Sequence, residues 1–540
     1  MNGGGAVDQL LAQAVAAHQA GDLAAAERGY REVLARAPQQ VDALHLLGLV
    51  AHQAGDPAGA VEWITRALAV RPDEATFHYN LANIHQSQGR LAAAVTHYRR
   101  ALALRPDDAD SHTNLAAALV KQNDLNAALG HYRAALKLTP EDATAHYNVA
   151  TVLKRCADPA GARMHFERAL VFRPDYPEAL IGLGTLLQER GERDEALECY
   201  LAALRYDPNS AAAYNNMGTW HEESGAHDQA LEYYQQSLLF DPEYAEAHNN
   251  LAAYWHQQGR NEDAVVGFRR ALAIQPQFAA AHKNLGAVLQ DQGDLAAAAA
   301  CYREALRLQP DFSEARFKLA ALTGEDTPPA APADYVAALF DAYARDFDAH
   351  LLGTLNYRTP QALRDALAGR LPAARLTVLD LGCGTGLSGA VFKDIAKRLV
   401  GVDVSAKMLA RARGRAIYDE LIEGEALAVL ERLSERFDLI VAVDVLVYFG
   451  ELAPLFSAVA RALARGGLFA FSVEHSDGAG YTLRASGRYA HSAAYIETLA
   501  ATVDLNVDCR DARVLRTEQG RDVDGMLWVL RSGAGKIAGP

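Results

Sequence analysis

Nine prolines stand on one lattice, Pro38, Pro72, Pro106, Pro140, Pro174, Pro208, Pro242, Pro276 and Pro310, each 34 residues after the last. A chain with this period is one supersecondary unit copied many times, because a single unit cannot bury its apolar face alone and must stack on its neighbours. Twelve residues before each proline lies an alanine, from Ala26 to Ala298, and eight before it an aromatic, Ile64 being the exception. Within residues 143–176 the apolar positions Val149 and Leu153, then Ala162, Phe166 and Ala169, recur at helical spacing around a polar turn. The unit is predicted to be a helix pair. Its turn carries Gly21, Gly55, Gly89, Gly191, Gly225, Gly259 or Gly293, where a helix end calls for the left-handed conformation; Asn123 and Ala157 stand there in two units. Proline then ends the second helix by withholding a backbone donor.

This pattern resembles the tetratricopeptide repeat and spans residues 7–322, nine units and a capping helix. The resemblance implies an all-α superhelical solenoid with a concave groove that binds a protein or peptide. Six units place asparagine at the sixth position of the first helix: Asn80, Asn114, Asn148, Asn216, Asn250 and Asn284. Asparagine is a poor mid-helix residue, and its amide both donates and accepts, as a peptide backbone requires. The row looks like the asparagine ladder of eukaryotic protein O-linked N-acetylglucosamine transferases, which implies contact with polypeptide backbone; inheritance by duplication is the alternative. A second row, His78, His112, His146, His248 and His282, is read as packing or groove-lining. No metal is expected from it, since packed helices lie about 8–10 Å apart and zinc–nitrogen bonds are about 2 Å.

The charge balance, 52 Lys+Arg against 67 Asp+Glu, gives −15 and disfavours a nucleic-acid partner. Five cysteines without a C-x-x-C pair, no apolar run near the ~18 residues of a membrane span and no basic leader predict a soluble, cytoplasmic protein.

The repeat signal stops at Thr323, and residues 323–334 read as a proline-rich, semi-extended linker. Residues 335–532 form a second domain. An amphipathic helix opens it, followed by Thr377-Val-Leu-Asp-Leu-Gly-Cys-Gly-Thr-Gly386, an apolar strand running into a glycine loop. Leu399-Val-Gly-Val-Asp403 is a second strand ending in an acid, placed to accept hydrogen bonds from ribose hydroxyls. Residues 437–444 and 467–473 read as further strands, so the expected fold is an α/β doubly wound, Rossmann-like sheet. Gly384-Thr-Gly-Leu-Ser-Gly389 fits the dinucleotide pattern formally, but its first glycine lies three residues past Leu381 instead of directly after the strand.

The run Asp380-x-Gly382-x-Gly384-x-Gly386, joined to Asp403 and to a terminal antiparallel hairpin over 511–531, resembles class I S-adenosylmethionine-dependent methyltransferases. More narrowly, residues 335–351 and 487–492 look like bacterial predicted methyltransferases that carry tetratricopeptide repeats. The resemblance implies S-adenosylmethionine as cofactor. It also implies Gly382, Gly384 and Gly386 along its methionine and ribose portion, Asp380 at its polar end, Asp403 on the ribose, Glu425 near the adenine and Asp444 facing the methionine end. Methyl transfer relies on positioning, so a general base is optional; Tyr448, Glu474, His475 and His491 are the candidates, each with packing as the simpler role. The function this reading predicts is a methyltransferase whose array recruits a protein or peptide substrate or partner. The alternatives are a small-molecule or glycan acceptor with the array used for complex assembly, and a non-catalytic scaffold.

Overall fold

The computed structural model describes residues 3–344, 347–349, 351, 358–518 and 521–533. The chain forms two compact units, Met1–Tyr254 and Trp255–Pro540. The first is a solenoid of antiparallel helix pairs, of which Ala143–Arg155 and Pro159–Phe172 are representative. Asp22, Asp56, Asp124 and Asp158 cap second helices by accepting the N–H three residues on, which satisfies a donor the helix itself leaves open. The lattice alanines Ala26, Ala60, Ala94, Ala128, Ala162, Ala196 and Ala230 are completely buried. The lattice aromatic packs on a small residue of its own pair: a Cβ on Gly184 would lie 2.6 Å from Tyr200, and one on Gly218 2.5 Å from Tyr234. It also reaches the next pair, since a Cβ on Gly182 would lie 2.6 Å from Phe166.

The second unit begins with the helices Asn261–Ile274, Ala279–Asp291, Leu295–Leu308 and Ser313–Thr323 and continues into a nine-stranded sheet. Its strands are β1 (Leu376–Leu381), β2 (Ala396–Asp403), β3 (Glu420–Glu423), β4 (Phe437–Ala442), β5 (Leu463–His475), β6 (Tyr481–Leu483), β7 (Tyr489–His491), β8 (Leu505–Glu518) and β9 (Arg521–Ser532). Parallel pairing runs β3-β2-β1-β4-β5, and β9 then joins β5 antiparallel and pairs with β8 as a terminal hairpin. This is the doubly wound sheet with its final antiparallel hairpin. Glu474 pairs with Gly525 of β9 on one edge and with Ala490 of β7 on the other, so the small β6–β7 hairpin continues β5 beyond the end of β4. β1 is buried at every position, as expected of a central strand covered on both faces.

The proline-rich stretch is extended and also bonded into the unit. The Pro329 carbonyl accepts the N–H groups of Gly450 and Glu451 at 2.8 Å, the Ala331 N–H donates to the Tyr448 carbonyl at 2.8 Å, and the Tyr489 hydroxyl donates to the Pro328 carbonyl at 2.6 Å. Prolines lack a donor but offer carbonyls, and here those carbonyls are taken up by the loop that follows β4 and by Tyr489 of β7. Among the described residues no helix is long and apolar enough to cross a membrane.

Candidate active site

A cavity opens at the carboxyl ends of β1 to β4, the place where open parallel sheets bind ligands. The loop after β1 supplies Gly382, Cys383 and Gly384, the end of β2 Asp403, the turn after β3 Gly424 and Glu425, and the loop after β4 Asp444, Tyr448 and Phe449. Helix Ala333–Tyr343 covers it with Val336 and Phe340.

The glycines are required by backbone shape. Gly382 has φ +66°, and a Cβ there would lie 2.1 Å from Val445 Cγ2. At Gly384, φ +53°, a Cβ would point into the cavity with Phe347 Cε1 its nearest neighbour at 3.7 Å. That open face is a cradle a ligand can approach along the main chain. Asp403 is fixed from behind: its carboxylate accepts the N–H of Gly384 at 2.8 Å and of Ser405 at 2.9 Å. Burial raises its pKa, opposed by those backbone donors, and the residue lines the cavity. Glu425 begins helix Ala426–Arg432 without making a side-chain capping bond, so its carboxylate is not consumed by the helix. Asp444 takes φ +57°, and Ser472 holds it twice, accepting its N–H at 2.8 Å and donating to its carboxylate at 2.9 Å.

Two residues of the expected cofactor set lie outside the lining. Asp380 is completely buried, and its Oδ2 accepts from the hydroxyls of Ser388 at 2.6 Å and Tyr418 at 2.7 Å. Burial pushes its pKa up to about 6. It braces the loop from beneath. Gly386, φ +91°, starts helix Leu387–Phe392, and a Cβ there would meet Arg415 and Tyr418 at 3.0 and 3.1 Å; it serves the turn.

Of the candidate bases only Tyr448 lines the cavity, its hydroxyl pKa raised by burial. Glu474 is buried among arginines, pairing with Arg516, with Arg484 at 2.9 Å and with Arg488 at 3.9 Å. His475 turns to Asp477 at 3.1 Å. His491 lies fully buried behind the site, with Nε2 3.3 Å from the Gly450 carbonyl, and burial lowers its pKa to about 4. Sequence reading missed the residues that anchor the cover. Asp341 accepts the Ser405 hydroxyl at 2.5 Å and the Lys407 N–H at 3.2 Å, and Asp348 takes the Thr385 hydroxyl and pairs with Arg415. It also missed Arg488 and Arg516 in the lining. These contacts join segments distant in sequence and carry no local motif.

The asparagine row is bonded between repeats. Asn80 Nδ2 lies 2.8 Å from His45 Nε2, Asn114 donates to the Tyr79 hydroxyl at 2.9 Å, Asn216 to the Thr185 hydroxyl at 3.4 Å and Asn250 to Asn215 Oδ1 at 2.9 Å. Asn148 and Asn284 are half-buried like the others. The histidines close the joints between pairs: the Nε2 atoms of His78, His112, His146, His248 and His282 lie 3.0–3.1 Å from the carbonyls of the lattice prolines six residues earlier. Among the described residues no cluster of three or more His, Cys, Asp or Glu side chains has the form of a metal site.

Comparison with known proteins agrees with both architectures. A methyltransferase-domain family model matches residues 379–471. Tetratricopeptide-repeat models match residues 11–69, 86–123, 116–155, 175–238, 255–293 and 279–312. The chain is 31% identical over 150 residues, 28% of its length and 57% of the relative's, to a malonyl-[acyl-carrier protein] O-methyltransferase of Enterobacter lignolyticus. It is 29% identical over 124 residues, 22% of its length and 53% of the relative's, to a ubiquinone biosynthesis O-methyltransferase of Thiobacillus denitrificans. It thus spans little more than half of either relative. A tetratricopeptide repeat protein from Parabacteroides merdae is similar to 46% of the chain over 99% of its own length, at 19% identity and a TM-score of 0.44.

Proposed function

Taking the chain as a tetratricopeptide-repeat array joined to a class I methyltransferase domain, we propose that it moves a methyl group from S-adenosylmethionine to an acceptor oxygen, and that the array recruits a protein or peptide substrate or partner. The observation that carries the reading is Asp403 at the end of β2, fixed by two backbone donors and open to the cavity beside the Gly384 cradle. A carboxylate so held accepts a ribose diol, while Glu425 beyond β3 accepts an adenine amino group. Gly382 and Gly384 give the methionine portion room, and Asp444 faces its ammonium end. Asp380 and Gly386 act through the loop by bracing and turning it. The cofactor supplies an activated methyl group, and the chain's residues bind, orient and exclude water. The acceptor oxygen follows the two O-methyltransferase relatives, and a cytoplasmic setting belongs to the same reading.

Calorimetry on the full chain tests it: S-adenosylmethionine binds, and Asp403→Ala weakens binding roughly tenfold to a hundredfold, since charged hydrogen bonds contribute about 1.5–3 kcal/mol. Unchanged affinity in the variant would remove the ribose contact, and binding of NADH in place of S-adenosylmethionine would remove the methyltransferase reading.

A second reading keeps the enzyme but gives it a small-molecule or glycan acceptor, with the array serving assembly. The bonds from Asn80, Asn114 and Asn250 to the preceding repeat favour it, because those amides already have intramolecular work. Asn148→Ala, Asn216→Ala and Asn250→Ala combined decide between the two: weaker substrate capture at unchanged turnover supports peptide recruitment by the ladder, and normal capture supports assembly.

A further inference from the structure

Six histidines of the solenoid meet in pairs. His78 on helix Ala75–Ser87 faces His97 on helix Leu91–Leu104, Nδ1 to Nδ1, at 3.1 Å. In the two repeats that follow, His112 faces His131 at 3.0 Å and His146 faces His165 at 2.9 Å. Filling this joint does not require imidazoles. The same two lattice positions hold Leu44 and Trp63, Leu180 and Cys199, and Tyr214 and Tyr233 in other repeats of the unit.

The bonds around each pair fix where its protons lie. The Nε2 atoms of His78, His112 and His146 lie 3.0–3.1 Å from proline carbonyls, which only accept, so Nε2 carries the proton and Nδ1 keeps a bare lone pair. The partner ring therefore supplies the single proton between the two Nδ1 atoms. An N–H held by a backbone carbonyl is also the outer contact that orients an imidazole on a metal. Two imidazole nitrogens bound at about 2.0–2.1 Å and meeting at a right angle, as in tetragonal copper(II) and nickel(II) sites, stand about 2.9 Å apart. A tetrahedral pair needs about 3.3 Å. The ring centroids are 5.1–5.3 Å apart, so the rings meet nearly end-on, and an ion seats beside the nitrogen–nitrogen line once each ring turns toward it. That turn uses the soft final torsion of the histidine side chain.

Charge separates the three pairs. Arg99 acts on His131, and Arg133 and Arg168 act on His165, whereas the charges acting on His97 are those of His78 and His85. His85, 8% exposed, stacks 5.7 Å from His97 and has a buried Nδ1 without a hydrogen-bond partner. Guanidinium groups repel a cation, so the first pair is the most favourable, and both its rings are half-buried and open to water. We propose that His78 and His97 bind a copper(II) or nickel(II) ion through their Nδ1 atoms, with water in the remaining positions, and that the other two pairs do so less tightly. The proton on His97 Nδ1 passes to its Nε2, so both rings stay neutral. The ion clips the two helices of the repeat together.

The test uses the untagged full chain, freed of metal with a chelator and then given nickel chloride. One equivalent should raise the melting temperature of the first unit and slow hydrogen exchange in helices Ala75–Ser87 and Leu91–Leu104. By calorimetry His97→Asn should weaken the first nickel equivalent about tenfold or more and abolish both effects, whereas His165→Asn should change it less than about twofold. His97→Cys, the residue type that Cys199 places at this lattice position, should restore binding. Melting in chelator close to that of the unmodified chain shows that the variants fold. At one equivalent of copper chloride, electron paramagnetic resonance of the unmodified chain should show coupling to two imidazole nitrogens. Protection confined to other helices, or equal nickel affinity in His97→Asn and the unmodified chain, means an adventitious ion only and overturns the proposal. A copper spectrum of the unmodified chain without two coupled nitrogens overturns it as well, whether or not the variants fold.

Discussion

In the first unit the fifth and sixth positions of each first helix are mostly polar and stitch one repeat to the next: Asn114 reaches back to Tyr79, and Asn250 to Asn215. In the capping helix Ser313–Thr323 of the second unit the same two lattice positions hold Phe317 and Lys318, and the histidine position before them holds Arg316. Arg316 keeps the joint, donating to the Pro310 carbonyl as the histidines approach theirs. Phe317 breaks the pattern. It is completely buried, 5.3 Å from the Tyr335 ring and 6.3 Å from that of Tyr489, with Lys318 Nζ 5.2 Å over Tyr335. A repeat without a successor must present a polar face or bury an apolar one, and this array buries its last face in the methyltransferase domain. The cluster around Phe317 includes Ala331, Val336 and Tyr448, which also line the candidate active site. Array and site therefore share packing residues at this end.

The largest effect expected from this contrast is on stability. Phe317→Ala should destabilise the second unit by about 3–5 kcal/mol, the usual loss for a buried phenylalanine. Asn250→Ala, which removes one polar stitch while improving helix propensity, should change the first unit by roughly 1 kcal/mol or less. Denaturant titration of the full chain, read by hydrogen exchange in each unit, measures both. Phe317→Ala should also weaken S-adenosylhomocysteine binding, and Phe317→Leu should restore most of it. Equal and small losses at the two sites would mean that the capping helix merely touches the domain.

A second contrast is pH dependence. In three repeats of the first unit the row histidine meets another nineteen residues on, Nδ1 to Nδ1: His78 with His97 at 3.1 Å, His112 with His131 at 3.0 Å and His146 with His165 at 2.9 Å. Burial first, and then the partner histidine, lowers the pKa of His97 and of His165 to about 4. The corresponding partner position in the second unit is Cys301, nineteen residues after His282. A histidine whose folded pKa lies below its unfolded value of about 6.5 binds its proton more readily when unfolded. Its stabilisation is therefore present above pH ~6.5 and is lost as pH falls toward 4. Melting of the first unit should drop across that window, and the double variant His97→Asn, His165→Asn should flatten the drop. A drop of the same size in the double variant would shift its origin to other groups of the unit, such as His45, whose pKa burial also lowers to about 4.

Legibility in the sequence follows the same division. Each lattice position of the array is sampled nine times, so the roles of Ala162, Phe166 and Pro174 are written by repetition. In the domain each residue occurs once, and only local motifs are readable: the glycine loop after β1 and the acid ending β2 were visible because strand, turn and acid are contiguous. Asp380 looked like a ligand-facing acid, yet alternation along a strand buried on both faces sends it to Ser388 and Tyr418. Arg488 and Arg516 reach the cavity from the β6–β7 hairpin and from β8, more than a hundred residues beyond the glycine loop. No spacing rule connects them. The asparagine row was plain as a row, but its direction was not, because only packing decides whether a half-buried amide turns to the groove or to the preceding repeat.

The smallest effect tests whether the lattice glycines are physical or merely inherited. Gly191 has φ +80°, and Ala157 takes the same turn position at φ +57°, where an L side chain crowds its own carbonyl. A Cβ on Gly191 would meet nothing within 4 Å, so packing plays no part and only backbone conformation differs. The left-handed conformation costs a non-glycine residue about 1–2 kcal/mol, while glycine loses about 0.4–1 kcal/mol through greater freedom in the unfolded chain. The balance predicts that Ala157→Gly stabilises its repeat by roughly 0.5–1 kcal/mol and that Gly191→Ala destabilises its own by a similar amount. Hydrogen exchange of helices Ala143–Arg155 and Pro177–Glu189 should slow in the first variant and quicken in the second. Equal exchange in Gly191→Ala and the unmodified protein would show that glycine at this turn persists by duplication alone, and the reading of the array as nine repeats of one physical solution would lose its turn.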